Sequence, residues 1–218
     1  MYIYVYTFTN NEMTAVWKTC ERIWIHVHLA TLDPALEESY GRLFDQALGV
    51  RDGRIVAIGP MAELEGLTLS AEIIDAEGRW LTPGLIDPHT HLIFAGNRAA
   101  EFEQRLLGAS YEEISRNGGG ILSTVTATRN ASVDELVTLA EPRLRALLAE
   151  GVTTLEIKSG YGLELSSELN MLRAAKQLQQ RYPVRISTTL LGAHALPLEY
   201  SDDADGYIDW VCEVLIPA

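Results

Sequence analysis

The sequence predicts an α/β protein in two parts. Residues 1–82 read as a small β-sandwich portion, and residues 83–218 as the first three or so βα units of a TIM-type (β/α)8 barrel. Three observations carry this. After residue 83, strand, loop and helix patterns alternate three times, the signature of an α/β layer architecture. The short apolar run Leu85-Ile86, bounded by turn residues, ends in Asp87-Pro88-His89-Thr90-His91, and residues two apart on a strand share a face. Length is the third: a complete eightfold barrel takes about 250 residues, so the residues after Pro83 in this 218-residue chain cover only its front part.

Residues 1–19 fit the rest poorly. Met13 begins a run, Met-Thr-Ala-Val-Trp-Lys, that would make a natural start, so residues 1–12 read as an upstream extension or a mis-called start. Their alternating Tyr2-Ile3-Tyr4-Val5-Tyr6 would equally suit an extra edge strand. From Cys20 to Ala30 the chain alternates, with Ile23, Ile25, Val27 and Leu29 on one face and Trp24, His26 and His28 on the other, a half-buried strand. His26 and His28 form a second His-x-His, but no acidic or third-ligand context accompanies them, and they are read as ordinary strand residues. Leu48 to Gly59 is a hairpin turning at Asp52-Gly53. Ile73–Asp75 and Trp80–Leu81 add two short strands.

Pro83-Gly84 makes a turn into Leu85-Ile86, which has the pattern of a buried parallel strand. Residues 95 to 131 read as a long loop region, with short helical pieces at Glu101–Leu107 and Ser110–Ser115 and an open backbone forced by Gly118-Gly119-Gly120. Ser132-Val-Asp-Glu135 is a capping box opening an amphipathic helix with Leu136, Leu139, Leu144, Leu147 and Leu148 inward. Pro142 is expected to bend that helix. Gly151 ends it, and Val152–Ile157 is the second barrel strand, β-branched and apolar. Ser166 or Ser167 caps the next helix, which carries Leu169, Leu172, Ala175 and Leu178. Val184–Leu191 is the third strand, and a further helix starts near Tyr207.

Composition is that of an ordinary globular protein, 47% hydrophobic and 22% charged. A net charge of −13 argues against nucleic acid and against an anionic membrane surface as partners. It leaves a small anionic ligand open, because local arginines decide that. Two cysteines, Cys20 and Cys212, lie far apart and form no ligand pattern, which fits a reducing cytoplasm. The first residues carry no basic n-region and no long apolar core of a signal peptide.

Catalytic groups of a βα barrel come from the loops after successive strands. His89 and His91 come after the first strand here, Lys158 to Tyr161 after the second, and Gly192 to His194 after the third. Two neutral imidazoles at a strand end are half of a metal site. Each group also has an ordinary alternative. A bare His-x-His is common, Arg98 would serve in a surface ion pair, Tyr161 as a turn aromatic, and His194 as a satisfied core histidine.

The run Asp75 to Gly78, a hydrophobic pair, Pro83-Gly84, Ile86-Asp87 and His89-x-His91 resembles the first barrel strand of the amidohydrolase superfamily. Four further motifs, in order, are similar to the imidazolonepropionase family: His89-Thr-His-Leu-Ile-Phe-Ala-Gly-Asn-Arg98, Gly118-Gly-Gly-Ile121, Glu156-Ile-Lys-Ser-Gly-Tyr-Gly-Leu163 and Leu191-Gly-Ala-His-Ala195. The likeness runs from about Leu48 to Ala218 and implies only the N-terminal half of such an amidohydrolase barrel. It implies that His89 and His91 bind one divalent metal, zinc or iron. Arg98, Tyr161 and, more weakly, Tyr111 would hold a carboxylate-bearing substrate, a guanidinium being suited to fork a carboxylate. His194 would contact the substrate ring and act catalytically by steadying charge on its carbonyl oxygen, while Glu156 and Lys158 would form a structural pair. The implied reaction is hydrolysis of the cyclic amide of 4-imidazolone-5-propanoate to N-formimino-L-glutamate.

In that superfamily the remaining ligands, a histidine and an aspartate, and the acidic base come from later strands. The chain has five histidines, none in the right later position, so these residues alone are expected to bind metal weakly and to be inactive. The family also implies a homodimer, and a β domain completed by C-terminal residues. The rival readings are another amidohydrolase acting on a ring amide or amidine, and a non-catalytic barrel module.

Overall fold

A computed structural model describes residues 10–116 and 118–218 of the chain. The chain divides between Pro83 and Gly84 into two compact units.

The first unit is built on β1 (Arg22–Ala30), which pairs antiparallel with β2 (Arg42–Arg51) and parallel with the short β4 (Glu72–Asp75) and β5 (Trp80–Leu81). β3 (Arg54–Pro60) returns antiparallel to β2 through Asp52 and Gly53, both at positive φ as a two-residue hairpin turn requires. Instead of the expected sandwich, the described strands of this unit join one mixed five-stranded sheet.

Strand β1 corrects the simple alternation. A bulge interrupts its pairing with β2 between Trp24 and Val27, and His26 sits at φ 49°. Such a bulge puts one extra residue in the strand and reverses which face later side chains address. Ile23 and Ile25 therefore pack with Trp17, Ala47 and Ala57, whereas Val27 and Leu29 join Trp24 and Leu48 in a second cluster. Helix α1 (Asn10–Lys18) supplies the first of these cores: Trp17 is fully buried and donates from Nε1 to Glu63 at 3.0 Å. The segment from Met13 onward thus belongs to the unit's core rather than fitting it poorly. The Tyr2–Tyr6 stretch lies outside the described residues.

The second unit has three parallel strands in the order β6 (Leu85–Thr90), β7 (Val152–Lys158), β8 (Arg185–Thr189). Between β6 and β7 run α2 (Ala99–Leu106), α3 (Tyr111–Arg116), α4 (Ile121–Arg129) and α5 (Val133–Ala149). Helix α6 (Leu165–Arg181) joins β7 to β8, and α7 (Ala204–Trp210) comes after β8, ending in a widened π-type turn over Val211–Leu215. No helix among the described residues is long and apolar enough to cross a membrane.

The core lies on one face of this sheet, where Leu155 and Ile157 of β7 meet Leu136, Val137, Ala140 and Leu144 of α5 and Met171, Ala174, Ala175 and Leu178 of α6. Burying this much aliphatic surface, about 1.5–3 kcal/mol per full side chain, dominates the unit's stability. The other face carries the partly buried Thr154, Glu156 and Lys158. Leu85 and Ile86 are mostly exposed, which corrects the reading of a strand buried on both faces. On α5 the capping box forms as read, but Leu139 points outward, and Val137 and Ala140 take the inward positions. Helix α6 starts at Leu165 with Glu164 as its cap position, and Ser166 and Ser167 hydrogen-bond to Glu164 instead of capping.

Helix α4 replaces part of the expected loop. Its threonines have low helix propensity, but each finds a partner. Thr126 bonds back to Leu122, Thr128 Oγ1 accepts from the Ala95 N–H, and Thr124 Oγ1 accepts from Arg98. Tertiary hydrogen bonds override the local preference.

Candidate active site

The ends of β6, β7 and β8 converge. The ring of His91 lies 5.6 Å from that of His89 and 5.3 Å from that of Tyr161, and stacks on His194 at 4.7 Å. Tyr161 in turn lies 5.3 Å from His194 and edges against Phe94 at 6.1 Å. Residues from three successive strand ends thus form one aromatic cluster.

The parallel register produces this. Thr90 at the end of β6 donates from Oγ1 to the Glu156 carbonyl of β7 at 2.7 Å, and the Ser159 N–H after β7 donates to Thr189 of β8. The Ser159 hydroxyl then accepts the Leu191 N–H at 3.0 Å, fixing the loop that carries His194. His194 Nδ1 faces the Gly160 carbonyl at 3.2 Å. A carbonyl only accepts, so Nδ1 carries the proton in this contact and Nε2 is the ring nitrogen that it leaves uncommitted.

His91 is the electrostatically distinctive member. Its Nδ1 is buried with no hydrogen-bond partner. Burial, then the neighbouring His194, His89 and Lys158, outweigh a backbone hydrogen bond with Ser159 and hold its pKa below the usual histidine range, so the ring is neutral at neutral pH. A neutral imidazole with an unpaired buried nitrogen suits a metal or a ligand donor. His89 beside it is exposed. These two residues fit one side of a metal site. Among the described residues, no group of three or more His, Cys, Asp or Glu side chains is arranged to hold an ion, and His194 stacks on His91 instead of converging with it. Glu156 and Lys158 pair at 2.5 Å. Burial works against the Glu156 carboxylate, but the Lys158 ammonium keeps it below the usual range.

Next to the cluster is an open cleft of about 430 Å³ lined by Phe94, Gly96, Asn97, Arg98, Thr124, Arg143 and Tyr161. Arg98 and Tyr161 therefore share one cleft, and Tyr161 belongs to both cleft and cluster. Tyr111 opens α3, but its side chain lies outside the described residues.

Two residues of this region were not singled out in the sequence. Arg143 reaches from α5 to the carbonyls of Leu92 and Phe94 at 2.8 and 3.1 Å and lies 3.5 Å over the Phe94 ring. It sits seven residues after Leu136, on the helix's apolar stripe, and an arginine there is a legible signal. Glu168, fully buried on α6, accepts the backbone N–H groups of Gly160, Gly162 and Leu163. Its signal is weaker, an acid in the first turn of a helix after a glycine-rich loop.

The pair His26 and His28 is arranged otherwise. His26 Nδ1 bonds Asp75 at 3.1 Å, and His28 Nδ1 accepts the Asp45 N–H at 3.0 Å while its ring packs against Phe44 and Trp80.

The model of the amidohydrolase family, Amidohydro_3, matches residues 72–110. Among curated proteins, the chain is 59% identical over 199 residues to an imidazolonepropionase of Caulobacter vibrioides, covering 91% of the chain and 49% of that protein. It is 58% identical to that of Hahella chejuensis over 89% of the chain and 48% of that protein, and 54% identical to that of Shewanella woodyi over 91% and 49%. The chain spans about half the length of these relatives. In fold it is similar to a 5-methylcytosine deaminase from Klebsiella pneumoniae, with a TM-score of 0.55 at 20% identity over 88% of the chain and 41% of the deaminase. Over about half of their length the chain is therefore similar to imidazolonepropionases, and over residues 72–110 it is similar to the amidohydrolase family.

Proposed function

We propose that this chain is the N-terminal portion of a metal-dependent hydrolase that opens the cyclic amide of 4-imidazolone-5-propanoate to give N-formimino-L-glutamate. In this reading Gly84–Ala218 supplies the first three βα units of a TIM-type barrel, after a small β domain. The observation that carries the substrate reading is Tyr161, whose ring is shared between the cluster of His91 and His194 and the cleft of Arg98. A small molecule with a reactive ring and a carboxylate at its other end needs both environments within its own length.

Each residue then has a role. Arg98 donates from Nε to Thr124, and its terminal guanidinium nitrogens, without a hydrogen bond among the described residues, would fork the substrate carboxylate. Tyr161 packs along the ligand between its two ends. His194, with its Nδ1 proton committed to Gly160, presents Nε2 to the imidazolone ring, accepting a ring N–H when neutral and donating to the carbonyl oxygen when protonated. His89 and His91 would hold the divalent metal, zinc or iron. When bound, it supplies Lewis acidity toward the amide carbonyl and toward the attacking water.

The test is ligand binding to this chain. Imidazole-4-propionate should bind more tightly than imidazole, and Arg98→Ala should weaken the first by about tenfold or more, the scale of a charge-assisted bidentate contact, with imidazole unaffected. Equal binding of both probes would turn the reading toward an amidohydrolase of an uncharged ring amide or amidine.

A further inference from the structure

We infer that Glu168 is a positioning residue for the site: its buried carboxylate shapes the Gly160–Leu163 loop so that Tyr161 and His194 meet. This rests on the reading of Tyr161 and His194 as ligand-binding groups. Glu168 is 0% exposed, and among the described residues it has no cationic partner. A carboxylate placed there must be compensated by hydrogen bonds, because an uncompensated buried charge is strongly disfavoured. Among the described residues, the hydrogen bonds to its oxygens come from the loop. Oε2 accepts the Gly160 N–H at 3.0 Å, and Oε1 accepts those of Gly162 and Leu163 at 2.7 and 2.8 Å. The three amides bracket Tyr161 on both sides, a concave nest of backbone donors closed on an anion from the same chain.

The loop has no slack around that carboxylate. Gly160 is at φ +111°, and a Cβ there would come within 2.8 Å of the His194 side chain; one at Gly162 would come within 2.6 Å of the Glu168 backbone nitrogen. The carbonyls on the loop's other side are also taken. Arg129 donates from Nε to Gly162 and from Nη2 to Leu163, while in the neighbouring segment that carries His194 the Tyr207 hydroxyl donates to Gly192. Burial pushes the Tyr207 phenol up to about 12, so it remains a donor. With the Gly160 carbonyl facing His194, one carboxylate sets the backbone under Tyr161 and, through that carbonyl, the ring of His194.

The test uses Glu168→Gln in the full 218-residue chain. The amide keeps the shape of the side chain but replaces one accepting oxygen with an N–H2 group, which then faces an amide donor of the loop. Leu178→Ala, a fully buried position on the same helix, serves as the control for lost stability alone. NMR signals of the Tyr161 and His194 rings should move in Glu168→Gln and stay in place in Leu178→Ala, and imidazole-4-propionate should bind about tenfold more weakly to Glu168→Gln. Unmoved ring signals in a folded Glu168→Gln chain, or equal displacement in Leu178→Ala, overturn the inference. If the parent chain binds no imidazole-4-propionate but the rings still move, the positioning role stands and the carboxylate-substrate reading falls. Should Glu168→Gln not fold, Glu168→Asp, one methylene short of the loop, is read by the same signals.

Discussion

The chain contains the same three-residue pattern twice, and the two copies end up as different chemistry. His26-Val27-His28 lies at a strand bulge, with one imidazole on Asp75 and the other accepting a backbone N–H between two aromatic rings. His89-Thr90-His91 ends a parallel strand, with His91 unpaired at Nδ1 and held neutral. Spacing is common to both, so spacing does not separate them. What differs is whether the rings' hydrogen-bonding capacity is already used within the fold. A histidine whose partners are local is a structural part, and one left unsatisfied in a cluster of strand ends is available to a ligand.

The two pairs should differ most in metal affinity. Titration of the chain with Zn²⁺ should show weak binding that is lost in the double variant His89→Ala, His91→Ala, since removal of even supporting groups costs roughly 10–100-fold in affinity. His26→Ala with His28→Ala should leave it unchanged. Equal losses from both double variants would show that the two pairs do not differ.

Stability should respond in the opposite sense. His28→Ala removes two edge-on aromatic contacts and the acceptor for Asp45, and should lower the unfolding free energy by about 1–3 kcal/mol. His91→Ala removes a buried unpaired nitrogen together with ring contacts to His89, Tyr161 and His194, effects of opposite sign, and should change it by less than about 1 kcal/mol. Denaturant midpoints of the two variants decide the matter.

The smallest expected effects are in pH dependence, and they fall in separate windows. The folded state holds the His91 pKa below its unfolded value near 6.5, so the unfolded chain takes up the proton first. Its contribution is constant above that pH and is lost as pH falls below it. His91→Ala should flatten stability there. Asp75 is shifted down by the Glu77 N–H and by His26, so its contribution is present above the usual carboxylate pKa and disappears at more acidic pH. Asp75→Asn should affect only that lower window. Parallel melting series in the two variants read both.

Legibility tracked the range of the interaction. The capping box from Ser132 to Glu135 and the hairpin at Asp52-Gly53 were readable because both are closed by neighbouring residues. Helix α4 was not, because its threonines are held by Ala95 and Arg98, about thirty residues away in sequence. Leu139 fits the helical apolar stripe on paper yet faces outward, because the sheet covers only the part of α5 where Val137, Ala140 and Leu144 lie. Glu168 has the sequence context of a surface acid at a helix start, and only the folded loop turns three amides onto it.

By itself the sequence determined the α/β class, the succession of strand ends and the residues that stand there, because strand period, turn chemistry and motif order are local properties of the chain. Tertiary structure decided which of those residues touch. It stacked His194 on His91, put Arg98 and Tyr161 in one cleft, and satisfied His26 and His28 within their own sheet. Hydrogen-bond satisfaction and burial depend on groups distant in sequence, and those exist as neighbours only once the strands are in register.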